Sequence, residues 1–177
     1  MKFSGIKRES LRFFYDMVEL VADSDVRVGG SVYDSRRSFV GRRATWEVQA
    51  NMSAKLVVAN VNKGELVNVF LDLVQTPHGE TVVARVRDQA NQKLGQRAVL
   101  GCYGLDSKSN NLLQVADVIA GSIAYARRSW AGDTPDAPGA EQTPKAKVAG
   151  RLRRALGLDT HDDVRAGKVN ILIMNHG

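Results

Sequence analysis

Acidic residues follow several predicted strands of this chain, and they are the side chains best placed to do chemistry. Asp34 ends the first β-like segment, Asp72 lies near the end of 66-LVNVFLDLV-74, and Asp106 follows 98-AVLGCYGL-105. In open α/β sheets, ligands bind at the carboxyl ends of the strands. Carboxylates that meet there can hold a divalent cation such as Mg²⁺, which takes oxygen ligands and keeps several waters. The sequence therefore predicts a candidate cation site at these strand ends.

A further acid lies in the first turns of a helix that is otherwise apolar. In 106-DSKSNNLLQVADVIAGS-122, Asp117 follows Gln114 by three residues, which places both side chains on one helix face. If the start of this helix abuts the strand ends, the carboxylates of Asp72 and Asp117 are expected roughly 3 to 7 Å apart around one ion. The alternative is a structural acid that accepts backbone N–H groups or pairs with an arginine.

Two other polar residues have structural explanations beside the functional ones. Asp106 precedes the polar segment SKSNN, where a turn or helix cap is favoured over a cation ligand. His78 lies in the turn 76-TPHGE-80. A turn residue is the default there, and a general acid or base near Asp72 is the alternative.

The basic residues are concentrated in one short segment. Lys and Arg outnumber Asp and Glu by 25 to 19, for a net charge of +6. The segment 36-RRSFVGRR-43 contains Arg36, Arg37, Arg42 and Arg43. This balance is compatible with nucleic acid as a partner, and the segment is a candidate for phosphate contacts; a solvated loop is the alternative.

Composition is that of an ordinary folded protein. The chain has 177 residues, of which 44% are apolar and 25% charged, as expected for one globular domain. Its aliphatic runs fall far below the roughly 18 residues of a membrane helix, and no secretory signal is visible, so we expect a cytoplasmic protein without membrane contact. The single cysteine, Cys102, excludes an intramolecular disulfide and is expected to be a small buried hydrophobe rather than a nucleophile.

Apolar periodicity and local composition predict alternating helices and strands. Helices are predicted over 9–22, 45–60, 81–94, 112–130 and 147–157, and strands over 26–34, 66–74, 98–105 and 168–174. The near-continuous apolar strand 66–74 is typical of a strand that is buried on both faces of a sheet. The alternation indicates an α/β fold with a largely parallel or mixed sheet and helices on both faces.

A proline-rich segment divides the chain. The stretch 131-AGDTPDAPGAEQTPK-145 cannot hold a helix or a central strand, because prolines recur through it. We therefore predict a core over residues 1–130, a linker or long loop over 131–147, and a C-terminal helix and strand over 148–177.

Several of these segments resemble the family catalogued as domain of unknown function 3800. DSKSNNLLQVADVIAGSIAYARR is similar to its closing signature: a strand, an aspartate and serine, then a helix with a glutamine, a small residue and an aspartate. KFSGIKRESLRFF resembles its lysine-serine segment, and VNVFLDLVQTPHG resembles its central strand ending in aspartate. The resemblance covers about residues 2 to 128.

The resemblance implies a ribonuclease H-like fold, in which acids from strand ends and one helix bind two divalent ions, Mg²⁺ or Mn²⁺, for phosphodiester hydrolysis. It implies that Asp72 is the central-strand acid and Asp117 the helix acid, both as catalytic metal ligands, with Gln114 beside Asp117. Glu47, in the first turn of the second predicted helix, lies where ribonuclease H-like enzymes often keep a further acid.

The chain departs from the family pattern at its start. Family members begin with a strand that ends in an aspartate-glutamate-serine-glycine motif and supplies the first metal-binding acid, and no such motif occurs here. We therefore expect an N-terminally incomplete ribonuclease H-like sheet. Two functions follow from the sequence. The first is a metal-dependent nuclease-like domain, which the absence of this acid can leave inactive. The alternative is a non-catalytic nucleic-acid-binding or protein-interaction module that retains the fold.

An incomplete sheet would leave the strand of Asp72 with an unpaired edge, which promotes aggregation. The terminal strand 168-KVNILIM-174 is the remaining apolar strand. We expect it to pair into a sheet, either within its own chain or with a second copy as a homodimer.

Overall fold

The computed structural model describes residues 2–33, 44–77, 81–130, 143–159 and 164–174. Two short 3₁₀-helices, Phe3–Gly5 and Arg8–Ser10, precede the first α-helix. The elements that follow are α1 (Leu11–Asp23), β1 (Val28–Tyr33), α2 (Thr45–Asn60), β2 (Val67–Asp72), α3 (Val82–Leu94), β3 (Val99–Leu105), α4 (Asn111–Trp130), α5 (Pro144–Ala155), β4 (Val164–Ala166) and β5 (Val169–Met174). The predicted mixture of helices and strands is confirmed. In these ranges, no helix has the length and apolar character needed to cross a bilayer.

The strands form two small sheets, where the sequence predicted one larger mixed sheet. β2 pairs with β3 in parallel, and Asp72 lies opposite Leu105. In the other sheet β5 lies between β1 and β4 and runs antiparallel to β4. The prediction that the terminal strand pairs into a sheet is confirmed, although its neighbours are β1 and β4 rather than the strand of Asp72. The mixed α/β class is thus established, and the ribonuclease H-like arrangement stays a prediction.

The chain divides into two compact units. The first consists of Met1–Gly30 and Gln114–Ile171, and the second of Ser31–Leu113 and Leu172–Gly177. Each unit is built from segments distant in the sequence.

The core of the first unit forms between α1, α4 and α5. Of the apolar face predicted for α1, Phe14, Val18 and Val21 are buried and Leu11 is half-buried. Burying apolar surface stabilises a fold by about 25 cal/mol per Å². The buried side chains of this core are Phe3, Ile6, Phe14, Met17, Val18, Val118, Tyr125, Val148, Ala149 and Leu152.

α5 begins at Pro144, inside the segment predicted to be a linker. Thr143 caps the helix, because its hydroxyl oxygen accepts the Ala146 N–H at 3.2 Å. Proline suits the first helical position, where its missing N–H would have no intrahelical partner. The predicted linker therefore ends earlier than expected, and its residues 131–142 lie outside the described ranges.

Lys168, directly before β5, holds the C-terminal end of α1. Its ammonium group donates to the backbone carbonyls of Val21 at 3.0 Å and of Ser24 at 2.6 Å, and to that of Ala22. The last carbonyls of a helix have no intrahelical partner, and a cation there opposes the negative end of the helix dipole. This side chain thus ties the C-terminal strand to the first helix.

In the second unit, α3 packs against β3, and α2 packs against α3. Ala50 and Ala54 of α2 are fully buried against Val86 of α3. Leu71 of β2 and Cys102 of β3 lie beside this cluster. Short side chains on α2 allow α2 and α3 to approach each other closely.

The prediction that β2 is buried on both faces is wrong. Half-buried and exposed residues alternate along β2, and the exposed ones are Asn68, Phe70 and Asp72. Phe70 is 53% exposed, and its ring stacks on that of Tyr103 with centroids 5.6 Å apart. The apolar run of β2 was misleading because Phe70 lies on the outer face of the sheet.

Candidate functional site

Asp72 ends β2 and accepts hydrogen bonds from the loop after β3. Its Oδ1 accepts the N–H groups of Leu73 at 3.0 Å and Ser107 at 3.2 Å. Its Oδ2 accepts the Ser107 hydroxyl at 3.0 Å. Because β2 and β3 are parallel, their carboxyl ends meet at one edge, and this brings Ser107 beside Asp72. The predicted meeting of these strand ends is therefore observed.

Asp106 caps the turn between β3 and α4. Its Oδ1 accepts the Lys108 N–H at 2.9 Å, and its carbonyl accepts the Ser109 hydroxyl at 3.0 Å. The favoured prediction of a turn cap is confirmed. Asp106 is exposed, as is Asp72, so water reaches both carboxylates at this edge.

Asp117 lies on α4, where it binds the N-terminal segment. Its Oδ2 accepts the Phe3 N–H at 2.8 Å. One turn later, Gly121 makes room for Phe3, since a Cβ at this glycine would lie 2.3 Å from the Phe3 Cγ. Another turn on, the Tyr125 ring centroid is 6.0 Å from that of Phe3. The acid in this apolar helix is thus a hydrogen-bond acceptor for Phe3, and the three α4 residues form what we call the Phe3 seat.

Asp72 belongs to the second unit and Asp117 to the first, and each is hydrogen-bonded within its own unit. Gln114 is buried at the start of the second segment of the first unit. The binding of one ion by Asp72 and Asp117 therefore stays a prediction.

Glu47 is bound on two sides within the second unit. Its Oε2 accepts the Ala44 N–H at 3.2 Å, which caps α2, and its Oε1 lies 3.1 Å from the Arg85 guanidinium. Arg85 also lies over the Trp46 ring, 5.1 Å from its centroid. These contacts give Glu47 a structural role at the start of α2.

The other predicted site residues lie outside the described ranges; they are Asp34, Arg36, Arg37, Arg42, Arg43 and His78. Among the residues that are described, no three side chains of His, Cys, Asp or Glu group closely enough to hold a metal ion. Any ion bound at the end of β2 would therefore draw its remaining ligands from water, from substrate or from residues outside those ranges.

Cys102 is half-buried on the inner face of β3. Burial raises the pKa of its thiol, and the nearby Arg87 charge only partly opposes this. A raised pKa leaves less of the reactive thiolate at neutral pH. This supports the expectation that Cys102 is a core residue rather than a nucleophile.

Comparisons of the chain with protein-family models, with curated proteins and with solved structures give no significant match. The resemblance to the domain of unknown function 3800 family therefore remains a prediction from quoted segments. Sequence reasoning missed two residues within those segments. Ser107 could have been suspected from its position directly after Asp106, and Gly121 from being a glycine inside a helix, where close packing is a common reason.

Substitutions at Asp117 separate its acceptor role from a role that needs its charge. Asp117→Asn should largely preserve stability, since an amide oxygen can still accept the Phe3 N–H. Asp117→Ala should lower the free energy of unfolding by about 1 to 3 kcal/mol, because the Phe3 N–H loses its partner. Urea unfolding would measure the free energy of unfolding of both variants, with Asp16→Ala, at an exposed residue, as the control. Equal losses for the two Asp117 variants would contradict the acceptor role.

Proposed function

We propose that this chain is a divalent-metal-dependent, nuclease-like domain that acts on nucleic-acid phosphodiesters, with its cation bound at the carboxyl edge of β2 and β3. The observation that carries this proposal is the contact between Asp72 and Ser107 at the ends of two parallel strands. Ligands commonly bind at this edge of α/β sheets. The exposed carboxylate of Asp106 lies next to Ser107 in the chain.

The donor groups at this edge fit Mg²⁺ or Mn²⁺. Both ions prefer carboxylate and water oxygens, and Mg²⁺ is usually held by one or two carboxylates together with substrate phosphates. Asp72 and Asp106 would hold the ion. A bound ion would polarise a phosphoryl oxygen and lower the pKa of water.

Ser107 would fix the orientation of the Asp72 carboxylate. Its N–H and hydroxyl each donate to a different oxygen of Asp72, at 3.2 and 3.0 Å. Oδ1 also accepts the Leu73 N–H, so Oδ2, which accepts one hydrogen bond, is the oxygen that keeps a further lone pair. Hydrogen bonds of this kind are the usual support of metal-ligating carboxylates.

The distribution of positive charge supports nucleic acid as the substrate. The chain carries a net charge of +6. Within the first unit, α5 has five basic side chains and no acidic one in the sequence PKAKVAGRLRRA. Lys147, Arg151 and Arg154 follow one another by four and three residues, so they share one helix face. Arg151 is also paired with Glu19 at 2.5 Å. Such basic faces contact phosphates and make binding depend on salt.

A second candidate is a non-catalytic nucleic-acid-binding or protein-interaction module. It is favoured by the observation that Glu47 and Asp117, two of the predicted metal ligands, both have structural partners. In this case Asp72 and Ser107 would only join the strand ends.

A cation titration followed by cleavage assays on labelled RNA and DNA tests the first function. We expect Mn²⁺ to bind, and cleavage to need it. Asp72→Asn should abolish both, and Ser107→Ala should weaken cation affinity about 10- to 100-fold, as for other supporting residues of metal sites. Asp88→Asn, at an exposed acid of α3, serves as the matched control and should leave both properties unchanged.

The two candidates give different outcomes. Salt-dependent nucleic-acid binding that is the same for wild type and Asp72→Asn, without cation binding or cleavage, would overturn the nuclease and support the module. Cation binding that survives Asp72→Asn would place the ion elsewhere and overturn the site at the end of β2.

A further inference from the structure

We propose that the outer edge of β2 is a self-association site, where β2 of a second copy adds antiparallel to form a two-fold symmetric dimer. This inference does not require a bound cation, because it rests mainly on backbone groups and apolar side chains of β2, although Asp72 and Asp106 also take part in the proposed cation site.

The backbone of β2 has an open side. The N–H groups of Val67 and Leu73 donate to the β3 side at 2.9 and 3.1 Å. Backbone groups of successive strand residues point to alternate sides, so Asn68, Phe70 and Asp72 direct their N–H and C=O groups away from β3. Within the described ranges, β3 is the only strand that pairs with β2. Three residues thus offer donors and acceptors along one edge.

The two edges of this sheet differ. At the start of β3, the Asn91 side chain takes the place of a neighbouring strand: its Oδ1 accepts the Val99 N–H at 2.8 Å, and its Nδ2 donates to the Val99 carbonyl at 3.0 Å. The sequence VNVFLD of β2 contains no proline, lysine or arginine, the residues with which proteins commonly block an edge. β2 is therefore the edge that can accept a strand.

Apolar side chains beside this edge are exposed. Phe70 and Tyr103 stack on each other while each remains about half exposed, and an aromatic side chain can bury about 150–250 Å². Contiguous exposed apolar surface of this kind commonly marks an interaction site. The other large exposed apolar residues in or next to these strands are Leu66, Leu73 and Leu100.

A second copy of β2 matches the edge in one register. With Phe70 opposite Phe70 of the second copy, Asn68 faces Asp72 on both sides of the two-fold axis, and about six backbone hydrogen bonds can form. The Asn68 amide can donate to the Asp72 carboxylate. The two Asp72 carboxylates lie four residues apart along the strands, about 14 Å. That exceeds the Debye length of about 10 Å at 0.1 M salt, so their repulsion is weak.

Charge at the ends of the strand pair favours the antiparallel arrangement. The amino end is net basic and the carboxyl end net acidic, so a copy in the opposite direction places unlike ends side by side. The side chains concerned are Lys63, Glu65 and Arg97 at the amino end, and Asp72, Asp106 and Lys108 at the carboxyl end.

Opposite charges at position 70 test this dimer. In sedimentation experiments over a range of concentrations, Phe70→Lys and Phe70→Glu should each weaken dimerisation on the order of 30-fold or more, because like charges then meet at the two-fold axis. Mixing the two variants should restore a dimer. Phe13→Lys is the matched control, since Phe13 on α1 is 58% exposed and Phe70 53%, and it should not change the dimer.

A second substitution keeps the test valid if the charged variants do not fold. Asn68→Pro removes an N–H that points away from β3, so it should leave the β2–β3 pair intact and still prevent dimerisation. A wild-type chain that sediments as a monomer at every concentration would overturn the proposal. So would a mixture of the charged variants that stays monomeric, or a dimer that Phe13→Lys disrupts equally.

Discussion

Deleting the residues after Gly157 is expected to unfold the first unit and make the protein insoluble. The deletion removes Lys168, whose ammonium group binds the carbonyls at the end of α1. It also removes Val169 and Ile171, which are 3% and 0% exposed. Several buried contacts would be lost together, and typical domains are stable by only about 5–15 kcal/mol. Circular dichroism and thermal unfolding of any soluble fraction would measure the loss.

A single substitution in β5 tests whether this strand stabilises the fold, without removing a segment. Ile171→Ala should lower the free energy of unfolding by about 2–5 kcal/mol, since it leaves a cavity at a fully buried site. Arg165→Ala, at an exposed residue of β4, is the control and should change it by less than about 0.5 kcal/mol. A truncated chain with the melting temperature and elution volume of the full chain would show that β4 and β5 are dispensable.

Local sequence patterns predicted the helices well. The predicted range 45–60 is that of α2, Thr45–Asn60, and the predicted range 112–130 differs from α4 by one residue. In α4, apolar residues at spacings of three and four recur over several turns. α2 was predicted instead from its content of good helix formers. β4 was missed because Val164–Ala166 has only three residues, too few to show an alternating pattern.

The position of a strand within its sheet could not be predicted from the strand itself. A continuous apolar run is typical of a strand with neighbours on both faces, and β2 has this run without being buried on both sides. Burial depends on which elements are packed against the strand, and these are distant in the sequence. The same argument explains why β5 pairs with β1 and β4 rather than with β2.

The candidate site was predictable where it depended on strand ends. Asp72 and Asp106 lie near one edge because β2 and β3 are parallel and in register at their carboxyl ends. The Phe3 contact of Asp117 joins residues 114 positions apart, and no local pattern could reveal it. A carboxylate in an apolar helix has the same sequence appearance whether its partner is a metal ion or a backbone N–H.

Gly121→Ala is expected to destabilise the first unit by about 1–3 kcal/mol, the usual cost of forcing an extra group into a packed core. The new Cβ would lie 2.3 Å from the Phe3 Cγ and 2.5 Å from the Phe3 Cβ. These atoms are at the base of the side chain, so a rotation of the ring cannot relieve the contact. Either Phe3 leaves its seat and the Asp117 hydrogen bond is lost, or α4 shifts within the core.

Gly150→Ala provides the matched control, because Gly150 also lies inside a helix, α5, and a Cβ there meets no atom within 4 Å. Without a clash, alanine should stabilise this helix by about 0.5–1 kcal/mol through its better helix propensity. The two substitutions are chemically identical and should have opposite signs in urea unfolding.

A double-mutant cycle tests the contact between Phe3 and Gly121 more directly. Phe3→Ala alone should destabilise the fold, since Phe3 is 8% exposed. Adding Gly121→Ala to Phe3→Ala should then cost less than Gly121→Ala alone, because the ring carbons that the new Cβ would strike are gone and only the Cβ of residue 3, 2.5 Å away, remains. The coupling energy between the two positions should lie in the range of about 0.5–3 kcal/mol that contacting residues show. Additive effects would mean that Gly121 is needed for a reason other than the space it leaves for Phe3.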